Sequence, residues 1–255
     1  MKNFRHHQQR PKKNMLISGS EAVFKAIKEG KPLEKIYLQA NINASWVSEI
    51  KALAREWMIP VHKVPVEKLN SLHVIGHDGC IAQIARVLYH DLQQIIDVTV
   101  EAGVVPLFLM LDGITDIRNI GGIARSAYAM GVQAIIIPER GVGTLNEDAM
   151  LTSAGALEHI AVCRERSLMK AVDTLHLNGI KVYATEMNAD TKISNCDFTI
   201  PCAIVMGAEE TGIYPALLKI CDEKCKIPMT GNFDSLNVSV ATGIVLYEVV
   251  RQREL

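Results

Sequence analysis

No apolar run in this 255-residue chain reaches the ~18 residues that a membrane-spanning helix requires. The basic residues near the amino terminus have no apolar stretch behind them, so they do not read as a secretory signal, and a cytoplasmic location is expected. The six cysteines, at positions 80, 163, 196, 202, 221 and 225, form no C-x-x-C pair. Cys221 and Cys225 stand close together but no second ligand pair follows, so buried reduced thiols are expected rather than zinc or disulfides. There is no Walker motif, no G-x-S-x-G elbow and no metal-ligand cluster. Gly141-Val142-Gly143 lacks the remaining glycine and the downstream acid of a dinucleotide loop. Net charge is also nearly absent, at −1. It is unevenly spread, because Lys2, Arg5, Arg10, Lys12 and Lys13 fall in residues 1–13 with no acid among them. The folded remainder is therefore acidic. The basic tail is read either as a phosphate-contacting arm or as a solvated, flexible one.

What is present is a 49% hydrophobic chain, enough for one large or two small packed domains. Residues 14–90 alternate helix and strand. Helices are expected at 20–29 with Ser20 as N-cap, at 45–57 and at 66–71, and strands at 35–39, 60–64 and 80–87. Trp46 and Trp57, eleven apart, share nearly one helix face and are expected in the core rather than stacked on bases. Residues 91–105 read as a helical linker. The second domain, 106–255, opens with the continuous apolar strand 106–111, the signature of a buried parallel sheet. Strands at 134–137, 161–162 and 180–184 alternate with helices at 120–130, 146–157 and 167–177. The class is therefore α/β with right-handed parallel connections.

Two strand ends in this domain release irregular loops. Ala203 to Met206 opens into a loop holding Gly207, Glu209, Glu210 and Gly212. Cys225 to Met229 runs through a polar turn into a helix, Leu236 to Val249, with almost no charge before Glu248. Loops at the carboxyl ends of strands are where open α/β sheets bind ligands. Glycines there permit sharp turns or close approach to a ligand. Ser235 and Asn237 are placed either to cap the helix or to bind a ligand. The helix itself must be covered on several sides, by its own domain or by a partner subunit. Upstream, Asn119 stands near the start of a helix and Arg125 lies six residues on, so a strand-end loop and the first helical turns can present both to one site. Taken alone, they read better as an N-cap asparagine and a surface arginine.

Together, Asn119-Ile120-Gly121-Gly122-Ile123-Ala124-Arg125, the IVMGAEETGI run at 204–213 and the SLNVSVATG run at 235–243 resemble the three motifs of the SpoU/TrmH family of RNA ribose 2′-O-methyltransferases. The likeness is close over 106–255 and looser over 14–90. The resemblance implies a trefoil-knotted, parallel-sheet methyltransferase domain, preceded by a ribosomal-protein-like RNA substrate-binding domain. It implies S-adenosylmethionine as cofactor, held by Met206, Gly207, Gly212, Ile227 and Leu236. Arg125 would carry catalysis with Asn119, Glu209, Ser235 and Asn237, and no metal is needed. It also implies a homodimer through the C-terminal helix region. Ribosomal RNA is the expected substrate, as in the guanosine-methylating branch, with transfer RNA as the alternative. The chain departs from the family pattern at Ile117-Arg118, at Glu210 where glycine is common, and at Asp78 in the loop 73–79, where glutamine often follows histidine. Two other classes stand beside this reading. A non-catalytic RNA-binding protein on the same scaffold is weakened by the presence of all five polar motif residues. A generic nucleotide-binding enzyme is weakened by the missing phosphate loop.

Overall fold

The computed structural model describes residues 15–143, 145–231 and 235–254. The basic tail, 1–13, lies outside the described residues. The chain divides into two compact units, with the break between Ala85 and Arg86.

The first unit runs β1 (Leu16–Ser18), α1 (Ser20–Lys28), β2 (Leu33–Gln39), α2 (Trp46–Glu56), β3 (Val61–Val64), α3 (Val66–Asn70) and β4 (Cys80–Ile84). Its sheet has the order β1-β4-β2-β3, with β2 and β3 parallel and β4 antiparallel to both β1 and β2. Alternation along β2 sends Ile36 and Leu38 into a core with Val23 and Ile27 of α1 and Ile50 and Ala54 of α2. Lys35, Tyr37 and Gln39 point to the other face. Ser20 is the first helical residue of α1 rather than its cap. Its backbone N–H donates to Asp78 Oδ1 at 2.8 Å and its hydroxyl to Asp78 Oδ2 at 2.5 Å. The capping acceptor thus comes from the 73–79 loop, where Asp78 takes a left-handed φ of +38°. His77 is engaged beside it. Its Nε2 lies 3.0 Å from Asn70 Oδ1, and its Nδ1 accepts from the Gly79 N–H at 3.1 Å. The tryptophan expectation holds for only one of the pair. Trp46 packs against the core, but α2 ends at Glu56, so Trp57 leaves the helical register and stays 50% exposed.

The second unit runs β5 (Tyr89–His90), α4 (Leu92–Glu101), β6 (Leu107–Asp112), α5 (Ile117–Ala129), β7 (Ala134–Pro138), α6 (Glu147–Thr152), β8 (Ala161–Glu165), α7 (Leu168–Leu177), β9 (Lys181–Thr185), β10 (Thr191–Lys192), β11 (Cys202–Gly207), α8 (Pro215–Ile220), β12 (Glu223–Lys226) and α9 (Val238–Arg253). All eight strands pair in parallel, in the order β10-β12-β9-β11-β6-β7-β8-β5. Both edge strands are two residues long. The apolar runs read from the sequence are strands buried on both faces. Leu107, Leu109 and Leu111 of β6 join Ile204 and Met206 of β11 and Ile123, Val245 and Leu246 of α5 and α9 on one side. Phe108, Met110, Ala203 and Val205 meet Leu92 and Ile96 of α4, Val172 of α7 and Leu217 of α8 on the other.

Several boundaries differ from the sequence expectation. Residues 91–105 do contain a helix, but α4 is built into the second unit's core rather than spanning free, and β5 joins the large sheet before it. The helix expected over 146–157 breaks after Thr152, because Ala154 and Gly155 take φ of +50° and +85°. A short 3-10 turn follows at Ala156–Glu158. The strand expected at 225–229 is Glu223–Lys226 instead, leaving Ile227 and Pro228 in the loop. All six cysteines are free. Burial pushes the Cys80 and Cys163 thiols up to about 12, which keeps them protonated core residues.

The end of α9 is fastened to the sheet. Arg253 donates to the carbonyls of Val105, Pro106, Phe198 and Ile200 at 2.8–3.0 Å. Gln252 accepts from the Phe198 N–H at 2.9 Å and donates to Glu248 at 2.8 Å.

Candidate functional site at the carboxyl ends of the central strands

A cleft of about 440 Å³ opens where β9, β11 and β12 end. It is walled by the loop after β11, the loop after β12 and the first turn of α9. Of the residues singled out in the sequence, Met206, Gly207, Glu209, Gly212, Ile227, Ser235 and Leu236 line it.

The first wall exists because of two glycines. Ala208 and Gly212 exchange both backbone hydrogen bonds, at 3.2 and 2.8 Å, which closes residues 208–212 into a tight loop. Gly212 takes a φ of +67°, a left-handed conformation that disfavours a side chain. Gly207 has no positive φ, but a Cβ there would strike the backbone at Gly212 and Ile213. Its lack of a side chain is thus required by the loop itself. The close approach expected with a ligand is first of all an approach of the chain to itself.

The mouth is held by a polar knot of three motif residues drawn from three distant stretches. Glu209 Oε1 accepts from Asn119 Nδ2 at 3.1 Å, from Asn237 Nδ2 at 2.7 Å and from the Val238 N–H at 3.1 Å. Asn237 Nδ2 also donates to Asn119 Oδ1 at 2.9 Å. The other end of the same amide caps α9: Asn237 Oδ1 accepts from the N–H groups of Ser239 and Val240 at 3.0 and 3.4 Å. Asn237, not Ser235, is therefore the cap of α9. Asn119 is not a cap, because Asp116 holds that place on α5 and accepts from the Arg118 N–H at 2.9 Å. Arg118 also reaches Asp116 through its guanidinium. That contact holds the Asp116 carboxyl below the usual carboxylate range and raises Arg118.

Arg125 is not brought to this cluster. It is exposed, lines no part of the cleft and, among the described residues, makes no hydrogen bond or ion pair. The reason is helical geometry: six residues along an α-helix leave a side chain about 120° around the axis from its starting direction. Asn119 and Arg125 therefore do not share a face of α5, contrary to the sequence expectation. Arg125 instead precedes Ser126, which faces Gly243 of α9, just as Gly122 faces Ser239. These small residues let α5 and α9 pack closely. Along the outer side of α9, Val240, Ile244 and Tyr247 stay 51%, 36% and 59% exposed, an apolar stripe at helical spacing.

Thr185, Glu186, Met187 and Asn188, at the end of β9, also line the cleft. Sequence reasoning missed them. The signal available was the parallel rule that strand ends share one rim, applied to the strand adjoining β11. The lining pairs apolar surface from Met206, Leu218, Ile227, Leu236 and Ala241 with carboxylates of Glu186, Glu209 and Glu210. That combination fits a flat aromatic base attached to a cationic centre. Among the described residues no group of three or more His, Cys, Asp or Glu is placed to hold a metal ion.

Comparison with known proteins gives this arrangement a context. The model of the SpoU rRNA Methylase family matches residues 106–247, and that of an RNA 2′-O ribose methyltransferase substrate-binding domain matches residues 16–90. A Staphylococcus aureus protein named as a TrmH family tRNA/rRNA methyltransferase is 39% identical over 93% of this chain and 96% of its own length. YacO of Bacillus subtilis, described in the same terms, is 34% identical over 93% and 95%. Among solved structures, the SpoU methyltransferase AviRb from Streptomyces viridochromogenes, in complex with S-adenosylmethionine, superposes with a TM-score of 0.59 at 26% identity, over 94% of this chain and 90% of that one. A TrmH/SpoU tRNA modifying enzyme from A. aeolicus aligns with a TM-score of 0.54 at 30% identity, over 58% of this chain and 75% of that one.

Proposed function

This chain belongs to the SpoU rRNA Methylase family of RNA methyltransferases, and from that membership we propose that it methylates a ribose 2′-hydroxyl of structured ribosomal RNA, as a cytoplasmic homodimer. The observation that carries the reading is the Asn119–Glu209–Asn237 knot, which ties all three motifs together at the mouth of a cleft on the strand ends. The cleft fits S-adenosylmethionine. Met206, Gly207, Gly212, Ile227 and Leu236 would hold the cofactor there, and the carboxylates of the lining would favour its sulfonium cation. That cofactor supplies a methyl group already activated for displacement. The chain's own residues position and polarise the acceptor. Glu209 fixes both asparagine amides, and the start of α9 is locked by the same contacts. The family's trefoil knot, formed in the C-terminal segment, is part of this proposal.

The choice of ribosomal over transfer RNA is supported by the matched SpoU rRNA Methylase model and by the tRNA-modifying neighbour, which aligns with 58% of this chain. The apolar stripe on α9 supports the homodimer. Arg125 lies outside its own cleft, on the helix that packs beside that stripe, which supports its delivery to the neighbouring copy's cleft. There its guanidinium would stabilise the oxyanion that forms as the ribose 2′-hydroxyl gives its proton to water or to the Glu209 carboxylate.

The test is single-turnover transfer of labelled methyl to ribosomal RNA, with the product nucleosides identified. A 2′-O-methylated nucleoside is expected, and a methyl group on a base overturns the ribose assignment. Arg125→Ala is expected to fold and bind cofactor, yet lose ~100- to 1,000-fold in rate. Mixing inactive Arg125→Ala with inactive Asn237→Ala distinguishes the two placements of the arginine. Hybrid dimers regain one whole site only if Arg125 acts across the interface.

A further inference from the structure

The first unit carries a second surface with the chemistry of a nucleic-acid platform. One face of its sheet is covered by α1 and α2. On the other, alternation and register place Lys35, Tyr37 and Gln39 of β2 beside His62 of β3 and Gln83 of β4. Tyr37 pairs with His62 across the strands, with ring centroids 6.3 Å apart and planes inclined at 46°. The Lys35 ammonium stands 5.8 Å from the centre of the same tyrosine ring. His62 is exposed, and the three β2 side chains and Gln83 are partly so. None of Lys35, Tyr37, Gln39, His62 and Gln83 is acidic, although the chain outside its first 13 residues has more acids than bases; the one acid of β2, Glu34, is buried at the register shift between Leu33 and Lys35. Buried Ile81 lies on the same face, and Leu69 of the short α3 is buried outside the main core of this unit.

We propose that this face, built on Tyr37, His62 and Lys35, binds unpaired nucleotides of the RNA substrate by stacking bases on the two rings and drawing phosphate to the lysine. The inference rests on the reading of the chain as an RNA methyltransferase and locates one place where it grips RNA. Partly exposed aromatic side chains on a sheet face suit splayed, single-stranded bases, whose π-faces are accessible only outside a duplex. Gln39 and Gln83 supply both donors and acceptors for base edges. Lys35, Tyr37, Gln39, His62 and Gln83 add no carboxylate repulsion against phosphate.

The experiment uses the full chain, with an unstructured RNA oligonucleotide and its blunt-ended duplex as fluorescent probes, across a salt series. The single strand is expected to bind more tightly than the duplex. Tyr37→Ala and His62→Ala should each weaken it ~5- to 150-fold, the range that follows from losing one base stack. Tyr37→Phe should bind as the wild type does. Lys35→Gln should flatten the salt slope by about one unit. Affinity for S-adenosylmethionine should be unchanged in every variant. His62 is exposed, so His62→Ala keeps the test alive should Tyr37→Ala unfold. Undiminished single-strand binding by folded His62→Ala and Tyr37→Ala, or equal affinity for duplex, overturns the proposal. Methyl transfer measured alongside separates the two ideas: a wild-type chain that grips single strands through Tyr37 but transfers no methyl keeps this face and loses the enzymatic reading.

Discussion

Asn237 uses both ends of its amide, one to cap α9 and the other to hold Glu209 and Asn119. The two jobs can be separated by substitution. Asn237→Ala removes both and is expected to cost about 1 kcal/mol of stability through the lost cap, together with most of the methyl transfer. Asn237→Asp keeps an acceptor for the helix N–H groups but sets a second carboxylate against Glu209. It should therefore harm transfer more than it harms stability, as read by thermal unfolding beside single-turnover rates. Gly207→Ala drives a methyl into the Gly212–Ile213 backbone, an overpacking that typically costs ~1–3 kcal/mol. Calorimetry should show cofactor affinity falling further for it than for Gly212→Ala, whose added methyl meets open space and only the left-handed φ. These residues were legible in the sequence as members of motifs, and the glycines as loop formers. Their contacts were not, since Glu209 meets partners 90 and 28 positions away and no local pattern encodes such a meeting. Arg125 shows the opposite case, in which proximity in a motif suggested a shared site that the turn of the helix does not provide.

Among the elements, α9 does the most. It caps the cleft at one end and is fastened to the sheet at the other. Near that end Glu248 accepts from Arg251 at 2.7 and 2.9 Å and from Gln252 at 2.8 Å. The Arg251 hydrogen bond, opposed by burial and helped by Gln252, holds the Glu248 carboxyl below its ordinary value of 4.5. A lowered folded-state value means that this stabilisation is complete above the ordinary carboxylate value and is lost as pH falls through the lowered one. Melting temperatures of the wild type and Glu248→Gln should therefore differ at neutral pH and converge in acid. An undiminished gap in acid would show that the carboxylate's charge is not what matters. The central strands and the long helices were readable because double-sided burial demands unbroken apolar runs and amphipathic helices keep their period. Two-residue β5 and β10 carry too little sequence to be seen, and the break at Ala154 depends on a backbone conformation that alanine does not advertise.

At the scale of the whole molecule, association is expected to run through α9. Ile244→Glu places a charge in the exposed apolar stripe and should convert a dimer to a monomer by light scattering, without lowering cofactor affinity in proportion. A wild-type chain that is monomeric at micromolar concentration would remove the dimer from the proposal. The division of the chain into a small α/β unit and a larger parallel one was visible as alternation along the sequence, whereas the structural break after Ala85 comes slightly before the expected end of the first domain at residue 90. Residues 86–101 have no glycine or proline to mark a join, and they fold with the unit that follows. The two-residue strands at either edge of the large sheet have a final effect. An exposed strand of ordinary length is a template on which another chain can add hydrogen bonds, the first step towards fibrils and disordered clumping. Tyr89–His90 and Thr191–Lys192 offer almost no such template, so the apolar central strands β6, β7 and β11 are shielded at both edges of the sheet from adding a foreign chain.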